Sequence, residues 1–221
     1  PYVSLTDANG LILKNSSPAK SGTFLGTDSL GRDTFSRVIY AARVSMSVGV
    51  VAVGISTGIG ILLGALAGYF GGWVDTFIMR VVDVVYCFPV LFLVIIIATI
   101  LKPSIYNIMI IIGLCNWTGT ARFVRGEILR VRELEYVQAS ISLGATDGRT
   151  IFHHIIPNIM APIIVEATLQ MARAILTEAS LSYLGVGVQM PTASWGNMLM
   201  SANNLSTLTL RPWQSAFSWQ C

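Results

Sequence analysis

Charged residues are scarce in this chain of 221 residues. They make up 11% of it, which is about half of their share in soluble globular domains, and this excludes an ordinary soluble enzyme of this length. The net charge of +3 is small and the arginines are dispersed, so no basic patch for nucleic acid is indicated. The three cysteines, Cys87, Cys115 and Cys221, contain no CxxC pair, which indicates neither a disulfide scaffold nor a zinc site.

Motifs of common catalytic and nucleotide-binding sites are also absent. The sequence has no GxxxxGK(S/T) phosphate-binding loop and no HExxH. Its only histidines, His153 and His154, are adjacent, and neighbouring side chains on a helix point about 100° apart, so they do not easily share a metal ion. An interfacial role suits them better. We predict no catalytic residue, no metal site and no cofactor bound by the chain itself.

Long apolar runs are abundant. Hydrophobic residues make up 53% of the chain, and roughly 20 consecutive apolar residues are enough for a helix to cross the hydrocarbon core of a bilayer. Three runs carry no charge, and a fourth carries Glu166, Arg173 and Glu178. The pattern predicts an all-α, polytopic membrane protein with about four spans. The runs comprise residues 44–70, 84–101, 103–121 and about 155–184.

The segment before the first run is predicted to lie outside the membrane. Residues 1–25 are polar and rich in serine, asparagine and glycine, which is typical of irregular structure. After them, Asp28 or Ser29 can cap a short amphipathic helix at the membrane interface, leading into the first span. The apolar members of this helix recur at helical spacing. They are Phe35, Val38 and Ile39.

Three features predict the geometry of the spans. Phe88 and Pro89 interrupt the second run, and proline lacks the backbone donor of a continuous helix, so a kink is expected there. Arg80 and Asp83, three residues apart, can neutralise each other near the membrane edge. Glycines at four-residue spacing in the first span predict close helix packing, as either a static contact or a sliding interface. These glycines are Gly54, Gly58, Gly60, Gly64 and Gly68.

A polar segment, residues 122–157, separates the third run from the fourth. Residues 133–143 are predicted to form a helix that Gly144 ends in a left-handed cap, and Thr146 or Asp147 can cap a second helix. The segment can be a coupling surface for a partner protein, or a loop that only satisfies its own helix caps. A small apolar surface for a partner's groove would be offered by Val137, Ala139, Ile141 and Leu143.

Four spans place this polar segment on one side of the membrane and both chain ends on the other. The distribution of basic residues does not decide which side is cytoplasmic, because six lie on the side of the segment and seven on the opposite side.

The polar segment resembles the EAA loop of bacterial ABC importer membrane subunits. Gln138-Ala139-Ser140 falls on the Glu-Ala-Ala of that motif, Gly144 on its glycine, and residues 154–157 on its closing Ile-x-Leu-Pro element. Flanking motifs narrow the resemblance, which covers about residues 24–200, to C-type permease subunits of the dipeptide/oligopeptide/nickel importer family. These motifs are LGTDSLGRD (25–33), GYFGGWVD (68–75), LSYLGVG (181–187) and PTASWGNM (191–198).

The resemblance implies a type I ABC importer permease with six spans in an intact subunit, one of them before residue 1 and one after residue 221, so we expect the sequence to be incomplete at both ends. It divides the chain into an extracytoplasmic segment with an interfacial helix (1–43), a transmembrane permease domain (44–200) and an extracytoplasmic tail (201–221). The polar segment would be cytoplasmic, in a bacterial or archaeal cytoplasmic membrane. Partner ATPase subunits would use ATP and magnesium, and a second permease and an extracytoplasmic substrate-binding protein would complete the assembly.

The motif match also assigns roles to residues. Gln138 replaces the motif glutamate and Ser140 an alanine, so any salt bridge from this position to an ATPase becomes a neutral hydrogen bond, and charge-assisted bonds are roughly twice as strong. The residues expected to couple the permease to the ATPase are Gln138, Ala139, Ser140, Gly144, Asp147, Ile156 and Pro157.

Ionisable residues at membrane depth are costly, so they usually face protein or water. Asp83, Glu166 and Glu178 therefore either line the translocation path or pack spans together. Peptides are the expected cargo, with nickel or another small solute as the alternative. A gradient-driven secondary transporter and an intramembrane enzyme are further alternatives, but the sequence shows neither paired broken helices with ion ligands nor a nucleophile and base.

Overall fold

A computed structural model of the chain describes residues 4–6, 9–101, 104–189 and 191–203. These residues are almost entirely helical, and the only strand-like pairings among them are two isolated bridges, Thr6 with Ile12 and Thr27 with Asp33. The all-α prediction is confirmed. The elements are α1 (Pro18–Ser21), α2 (Thr34–Phe70), α3 (Gly72–Tyr86), α4 (Val90–Ile100), α5 (Ile105–Arg132), α6 (Glu135–Ser142), α7 (Asp147–Arg149), a π-helical turn (Thr150–Ile155), α8 (Ile156–Tyr183) and α9 (Trp195–Ala202).

The chain forms two compact units. The first contains Pro1–Val48, Leu101–Ile108 and Ile175–Cys221, and the second contains Gly49–Ile100 and Met109–Ala174. The domain boundaries predicted from the sequence remain a prediction, and most of the predicted tail, residues 204–221, lies outside the described residues.

In the first unit, a carboxylate organises the segment that leads into α2. Asp28 Oδ1 accepts hydrogen bonds from the backbone N–H of Leu30 at 2.9 Å and of Arg32 at 2.8 Å, and its Oδ2 pairs with the guanidinium groups of Arg32 and Arg37. Both arginines are buried. Burial alone would raise the pKa of Asp28, but the hydrogen bonds from Arg32 and Leu30 and the charge of Arg37 outweigh it, so this pKa is lowered.

The cap of α2 differs from the prediction. Asp33, not Asp28 or Ser29, accepts hydrogen bonds from the backbone N–H of Phe35 and Ser36, at 3.3 and 3.1 Å. Asp28 instead forms ion pairs with Arg32 and Arg37. The predicted interfacial helix is not separate from the first span, because α2 continues without interruption from Thr34 to Phe70.

In the second unit, small residues bring α2 and α5 together. A Cβ atom on Gly60 would lie 2.4 Å from the Cβ of Thr120, and one on Gly64 would lie 2.6 Å from the carbonyl oxygen of Ala121. Gly68 is similarly close to α5, at 3.0 Å from the carbonyl oxygen of Arg125. The predicted close packing is therefore confirmed for these three glycines. By contrast, a Cβ on Gly54 or Gly58 would meet no heavy atom of the described chain within 4 Å.

The same unit contains a buried apolar cluster that includes side chains from the polar segment as well as from the long helices. α2 contributes Ala65 and α5 contributes three residues, while the remainder come from α6, the π-helical turn and α8. Its members are Ala65, Val124, Ile128, Val131, Val137, Ile151, Ile155, Ile159 and Ile163.

The second apolar run is broken. α3 ends at Tyr86, α4 begins at Val90, and the two helices are bent by 79°. This confirms the kink expected at Phe88 and Pro89, and it divides the run predicted as one span. Arg80 lies 3.9 Å from Asp83, as the sequence predicted.

The count of four spans is not confirmed. Within the described part of the chain, two helical stretches, Thr34–Phe70 and Asp147–Tyr183, are long and apolar enough to cross a membrane, and the bent pair α3–α4 makes a third if it counts as one span. The predicted third span lies in α5, which does not meet this criterion, since its second half carries several charged residues.

The packing of α2 on α5 predicts a contrast between two glycines of one helix. Gly64→Ala should lower the stability of the purified permease by about 1–3 kcal/mol, because the new methyl group meets backbone atoms that cannot move aside easily. Gly58→Ala should cause no loss, since its methyl group has space and alanine favours a helix over glycine. Thermal unfolding in detergent measures both, and equal midpoints for the two variants would contradict the assigned interface.

The Asp28 cluster predicts a pH dependence. Because the folded pKa of Asp28 is lowered from its ordinary 3.8, the stability that it contributes is present above about pH 4 and is lost as the pH falls through the folded value. Wild-type protein should therefore be more stable than Asp28→Asn at about pH 7, and the difference should shrink at about pH 3. A difference in unfolding midpoint that stays constant between these pH values would refute this assignment.

Candidate functional site

The structure builds a helix–turn–helix elbow, residues 135–157, from α6, the turn at Gly144, α7 and the π-helical turn. Gly144 has a φ of 81°, in the left-handed region. Its N–H donates to the carbonyl of Ile141 at 2.9 Å, and the N–H of Ala145 donates to that of Ser140 at 3.1 Å. These two bonds form a Schellman motif, which satisfies the last carbonyls of α6. The predicted helix end at Gly144 is confirmed.

The residues on the Glu-Ala-Ala motif lie on α6. Gln138 and Ala139 are exposed, and Ser140 is half-buried. The side chain of Gln138 donates from Nε2 to the carbonyl oxygen of Arg132, at the end of α5, at 2.9 Å. The side-chain hydroxyl of Ser142 donates to the backbone carbonyl of Gln138 at 2.9 Å. Gln138 thus joins α6 to the last turn of α5 by a neutral hydrogen bond.

The predicted apolar face of α6 is only partly correct. Ala139, Ile141 and Leu143 are exposed, and Leu143 is 88% exposed. Val137, however, is fully buried in the apolar cluster and offers nothing to a partner. Residues two apart point to different sides of a helix, so these four side chains do not share one face. Val137 instead joins the elbow to the long helices.

The second half of the elbow is held by α2. Asp147 is the first residue of α7, and its Oδ1 accepts a hydrogen bond from the hydroxyl of Tyr69, near the end of α2, at 2.8 Å. The backbone carbonyl of Tyr69 accepts a hydrogen bond from Arg132 at 2.8 Å. Thr146 occupies the N-cap position of α7, but its side chain makes no capping hydrogen bond there. The predicted capping function of Asp147 is therefore replaced by a contact with α2.

The elbow continues into α8 without a break, whereas the sequence predicted a separate second helix and fourth span. Ile156 begins α8 and packs against the apolar cluster, and Pro157 is exposed in the next position. The wider π-helical turn directly precedes this proline, which has no backbone N–H to donate. The side-chain Nδ2 of Asn158 donates to the backbone carbonyl of His154 at 2.6 Å. Because the π-helical turn accommodates Pro157, the elbow continues into α8 without a break in the helix.

The outer surface of the elbow is open and carries both apolar and polar side chains. Phe152 is 63% exposed, and with Gly148, Arg149 and His153 it borders a shallow depression. Within the described residues, no three His, Cys, Asp or Glu side chains are placed to hold a metal ion. The exposed apolar groups of this surface, with a basic group at Arg149 beside them, suit contact with a protein groove.

The three ionisable residues predicted for the path or for packing lie in different environments. Asp83 is half-exposed and pairs with Arg122 of α5 as well as with Arg80, and the guanidinium of Arg122 also stacks over the ring of Tyr86 at 4.5 Å. Asp83 thus makes contacts that pack α3 against α5.

Glu178 is fully buried in the first unit. Its carboxylate oxygens accept hydrogen bonds from the hydroxyls of Ser45 at 3.0 Å and Ser182 at 2.7 Å. Ser45 also accepts a hydrogen bond from the N–H of Trp195 at 3.3 Å, and Ser182 one from Val188 at 2.9 Å. These contacts join α2, α8 and the start of α9, which is a packing arrangement.

Glu166 belongs to a polar group in the second unit. Its Oε1 accepts a hydrogen bond from Gln170 at 3.3 Å, and both residues border a cavity of about 200 Å³. Gln170 is 8% exposed and is also hydrogen-bonded to Thr120 and Ser56. The sequence analysis missed Gln170, although its four-residue spacing from Glu166 places both on one face of α8.

Two further contacts were missed. Asp75 forms a bidentate ion pair with Arg125, with Oδ2 at 2.6 Å from Nη2, and Tyr69 contacts Asp147 as described above. Both Tyr69 and Asp75 lie in the motif GYFGGWVD, which the sequence analysis used only for the resemblance. The sequence did offer a signal for both contacts, because Tyr69 and Asp75 are polar side chains close to the predicted end of the first span.

Comparison with known proteins assigns the family. The model for the family described as "Binding-protein-dependent transport system inner membrane component" matches residues 60–215. The chain belongs to this family. It is a permease subunit of an ABC importer, as the motifs predicted.

Similar proteins include the oligopeptide transport system permease protein OppC of Bacillus subtilis, which is 41% identical over 93% of this chain and 67% of its own length. The dipeptide transport system permease protein DppC of Alkalihalophilus pseudofirmus is 43% identical over 88% of this chain and 63% of its own. The chain thus spans about two thirds of the length of these relatives.

A solved structure shows a similar fold. The crystal structure of an amino acid ABC transporter with histidines has a chain that is 16% identical, with a TM-score of 0.50 over 85% of this chain and 94% of the other. This likeness supports the fold of an ABC transporter permease.

The contact between Tyr69 and Asp147 predicts local opening of the elbow. Tyr69→Phe removes one hydrogen bond to a charged group, which should weaken the local structure by about 1 kcal/mol. Amide hydrogen exchange of residues 146–150 should then accelerate about fivefold. Tyr106→Phe, at a tyrosine that is 72% exposed on α5, is the matched control and should leave exchange in the elbow unchanged. Unaltered exchange in Tyr69→Phe would show that the contact does not hold the elbow.

Proposed function

We propose that this chain is the cargo-conducting subunit of an ATP-driven importer of peptides in a bacterial or archaeal cytoplasmic membrane. Membership of the importer family gives the general activity. The peptide cargo is supported by the names of similar proteins, which are permeases of oligopeptide, dipeptide and glutathione transport systems. Nickel or another small solute is the alternative cargo, and gradient-dependent uptake that vanadate does not inhibit would instead indicate a secondary transporter.

The proposal assigns ATP hydrolysis to other subunits. The sequence has no phosphate-binding loop of the P-loop type, so ATP and magnesium would act through partner ATPases and no cofactor would bind to this chain. A second, related permease would complete the membrane part as a heterodimer, and an extracytoplasmic binding protein would deliver the cargo.

The observation that carries the coupling function is the continuity between the elbow and the long helices. Val137, Ile151 and Ile155 of the elbow lie in one apolar cluster with residues of α2, α5 and α8. Close-packed interiors deform little and transmit displacement. A force applied to the exposed residues of α6 would therefore move the helices behind them, and this movement would switch the permease between outward-facing and inward-facing states.

Within the elbow, each coupling residue has a proposed task. Gln138, Ala139 and Ser140 would contact the ATPase, while Gly144 sets the angle between the two helices. Asp147 fixes the second helix to α2, and Ile156 and Pro157 lead into α8. Because Gln138 is neutral and donates to the carbonyl of Arg132, its contact with the ATPase would be weaker than that of a glutamate.

Gly144→Arg tests this assignment. No L side chain easily adopts the left-handed backbone of Gly144, so the variant should lose the turn and add bulk at the contact surface. In proteoliposomes that contain the full permease pair, the ATPases and the binding protein, ATP-driven uptake of tri-alanine should fall at least about tenfold, which corresponds to about 1.4 kcal/mol. The ATPase should also co-purify less well.

Gly126→Arg is the matched control, because it adds the same side chain at an exposed helical position of α5, outside the elbow and without a left-handed backbone. It should retain most of the transport. Unchanged co-purification and uptake in Gly144→Arg would refute the coupling assignment, and an equal loss in both variants would assign the effect to added charge rather than to the turn.

A further inference from the structure

A cavity lies within the second unit, among residues of α2, α3, α4, α5 and α8. Its volume is about 200 Å³, and its wall combines apolar side chains with a few polar groups. A carboxylate and a guanidinium, those of Glu166 and Arg173, both border it. The other polar groups of the wall include Ser56, Asn116, Thr118 and Gln170.

Gln170 holds one side of this cavity in place. Its Oε1 accepts a hydrogen bond from the hydroxyl of Ser56 at 3.2 Å, and its Nε2 donates to the Oγ1 of Thr120 at 2.7 Å. The same Nε2 lies 3.3 Å from Oε1 of Glu166, at the long end of the range for a hydrogen bond. The amide therefore orients Glu166 through a weak contact, which does not fully satisfy its charge.

The positions of Glu166 and Arg173 along α8 make it unfavourable in free energy to keep their side chains ionised. α8 has 28 residues, and Glu166 and Arg173 lie in its middle third, where the surrounding sequence is apolar. An ionised side chain at membrane depth costs at least about 2.5–3.5 kcal/mol on insertion scales measured for Asp, Lys and Arg, and such residues usually mark a substrate or ion pathway.

The backbone spacing of Glu166 and Arg173 suits a short peptide. Seven residues along an α-helix return the side chain to nearly the same face and raise it by about 10.5 Å. An extended chain spans at most about 3.3–3.6 Å for each residue, so three residues cover about 10 Å. An extended tripeptide with free ends carries a positive ammonium and a negative carboxylate about 10 Å apart.

We propose that Glu166 and Arg173 form a subsite for the two ends of a short zwitterionic peptide, with the ammonium at Glu166 and the carboxylate at Arg173. This inference rests on the proposed function, and it adds a size and charge preference of the permease itself. The planar guanidinium of arginine binds a carboxylate through two parallel hydrogen bonds, which favours a free carboxyl end over an amide. Gln170 is a positioning residue, because it acts through Glu166.

Direct binding to the membrane complex tests the subsite. The full-length permease pair with its ATPases, purified without the binding protein, is dialysed against labelled tri-alanine, its N-acetyl form and its C-terminal amide. Wild-type complex should bind tri-alanine about tenfold more tightly than either blocked peptide. Glu166→Gln should lose this preference over the N-acetyl peptide, and Arg173→Gln the preference over the amide, since each removes one charge-assisted contact.

Glu127→Gln is the matched control, because this carboxylate pairs with Arg130 on α5 and does not border the cavity. It should bind all three peptides as wild type does. Gln170→Ala should weaken binding of tri-alanine but not of the N-acetyl peptide, an asymmetry that a general loss of structure would not produce.

Three outcomes would overturn the subsite. They are equal binding of free and blocked peptides by wild type, no binding of tri-alanine by wild type, and dissociation of the permease pair in Glu166→Gln or Arg173→Gln, which would assign the charges to subunit assembly. Failure of the proposed function has a separate signature, which is the absence of ATP-driven peptide uptake when the wild-type complex is supplied with its binding protein.

Discussion

The apolar cluster of the second unit is the contact on which the coupling elbow depends. It brings Val137 of α6 and Ile151 of the π-helical turn into contact with side chains of the long helices. Apolar packing is not directional, because dispersion and burial of apolar surface stabilise any arrangement in which the side chains fit closely. What it provides is stiffness, because side chains at crystal-like density cannot be displaced singly. The elbow is therefore part of the membrane domain in a mechanical sense, although its outer surface faces away from it.

Polar contacts around the cluster give this packing a defined register. The backbone carbonyl of Tyr69 accepts a hydrogen bond from Arg132, and its hydroxyl donates to Asp147, so one residue near the end of α2 is bonded both to the end of α5 and to the start of α7. The bidentate pair of Asp75 and Arg125 fixes α3 against α5 in the same way. Hydrogen bonds are directional, so these contacts exclude rotations and slips that an apolar interface alone would tolerate.

Local signals in the sequence predicted local structure well. The helical class, the break at Pro89 and the left-handed turn at Gly144 each follow from the chemistry of one or two residues. Features that depend on distant partners were not predictable in this way. Asp28 has the chemistry of a helix cap, but two buried arginines occupy it and Asp33 caps α2 instead. The burial of Val137 depends on its packing against residues of α5, which the local sequence does not reveal. The position of Gln170 in the cavity wall depends likewise on its hydrogen bonds to Ser56 and Thr120.

The length of α2 has a consequence of its own. Its 37 residues correspond to about 55 Å at 1.5 Å for each residue, whereas the hydrocarbon core of a bilayer is about 30 Å thick. Tilting alone would require an angle well above the usual 0–40° to conceal that length. α2 must therefore extend beyond the hydrocarbon core as one helix. Motion at the end that carries Tyr69 need not pass through a flexible joint before it reaches the lipid-embedded turns.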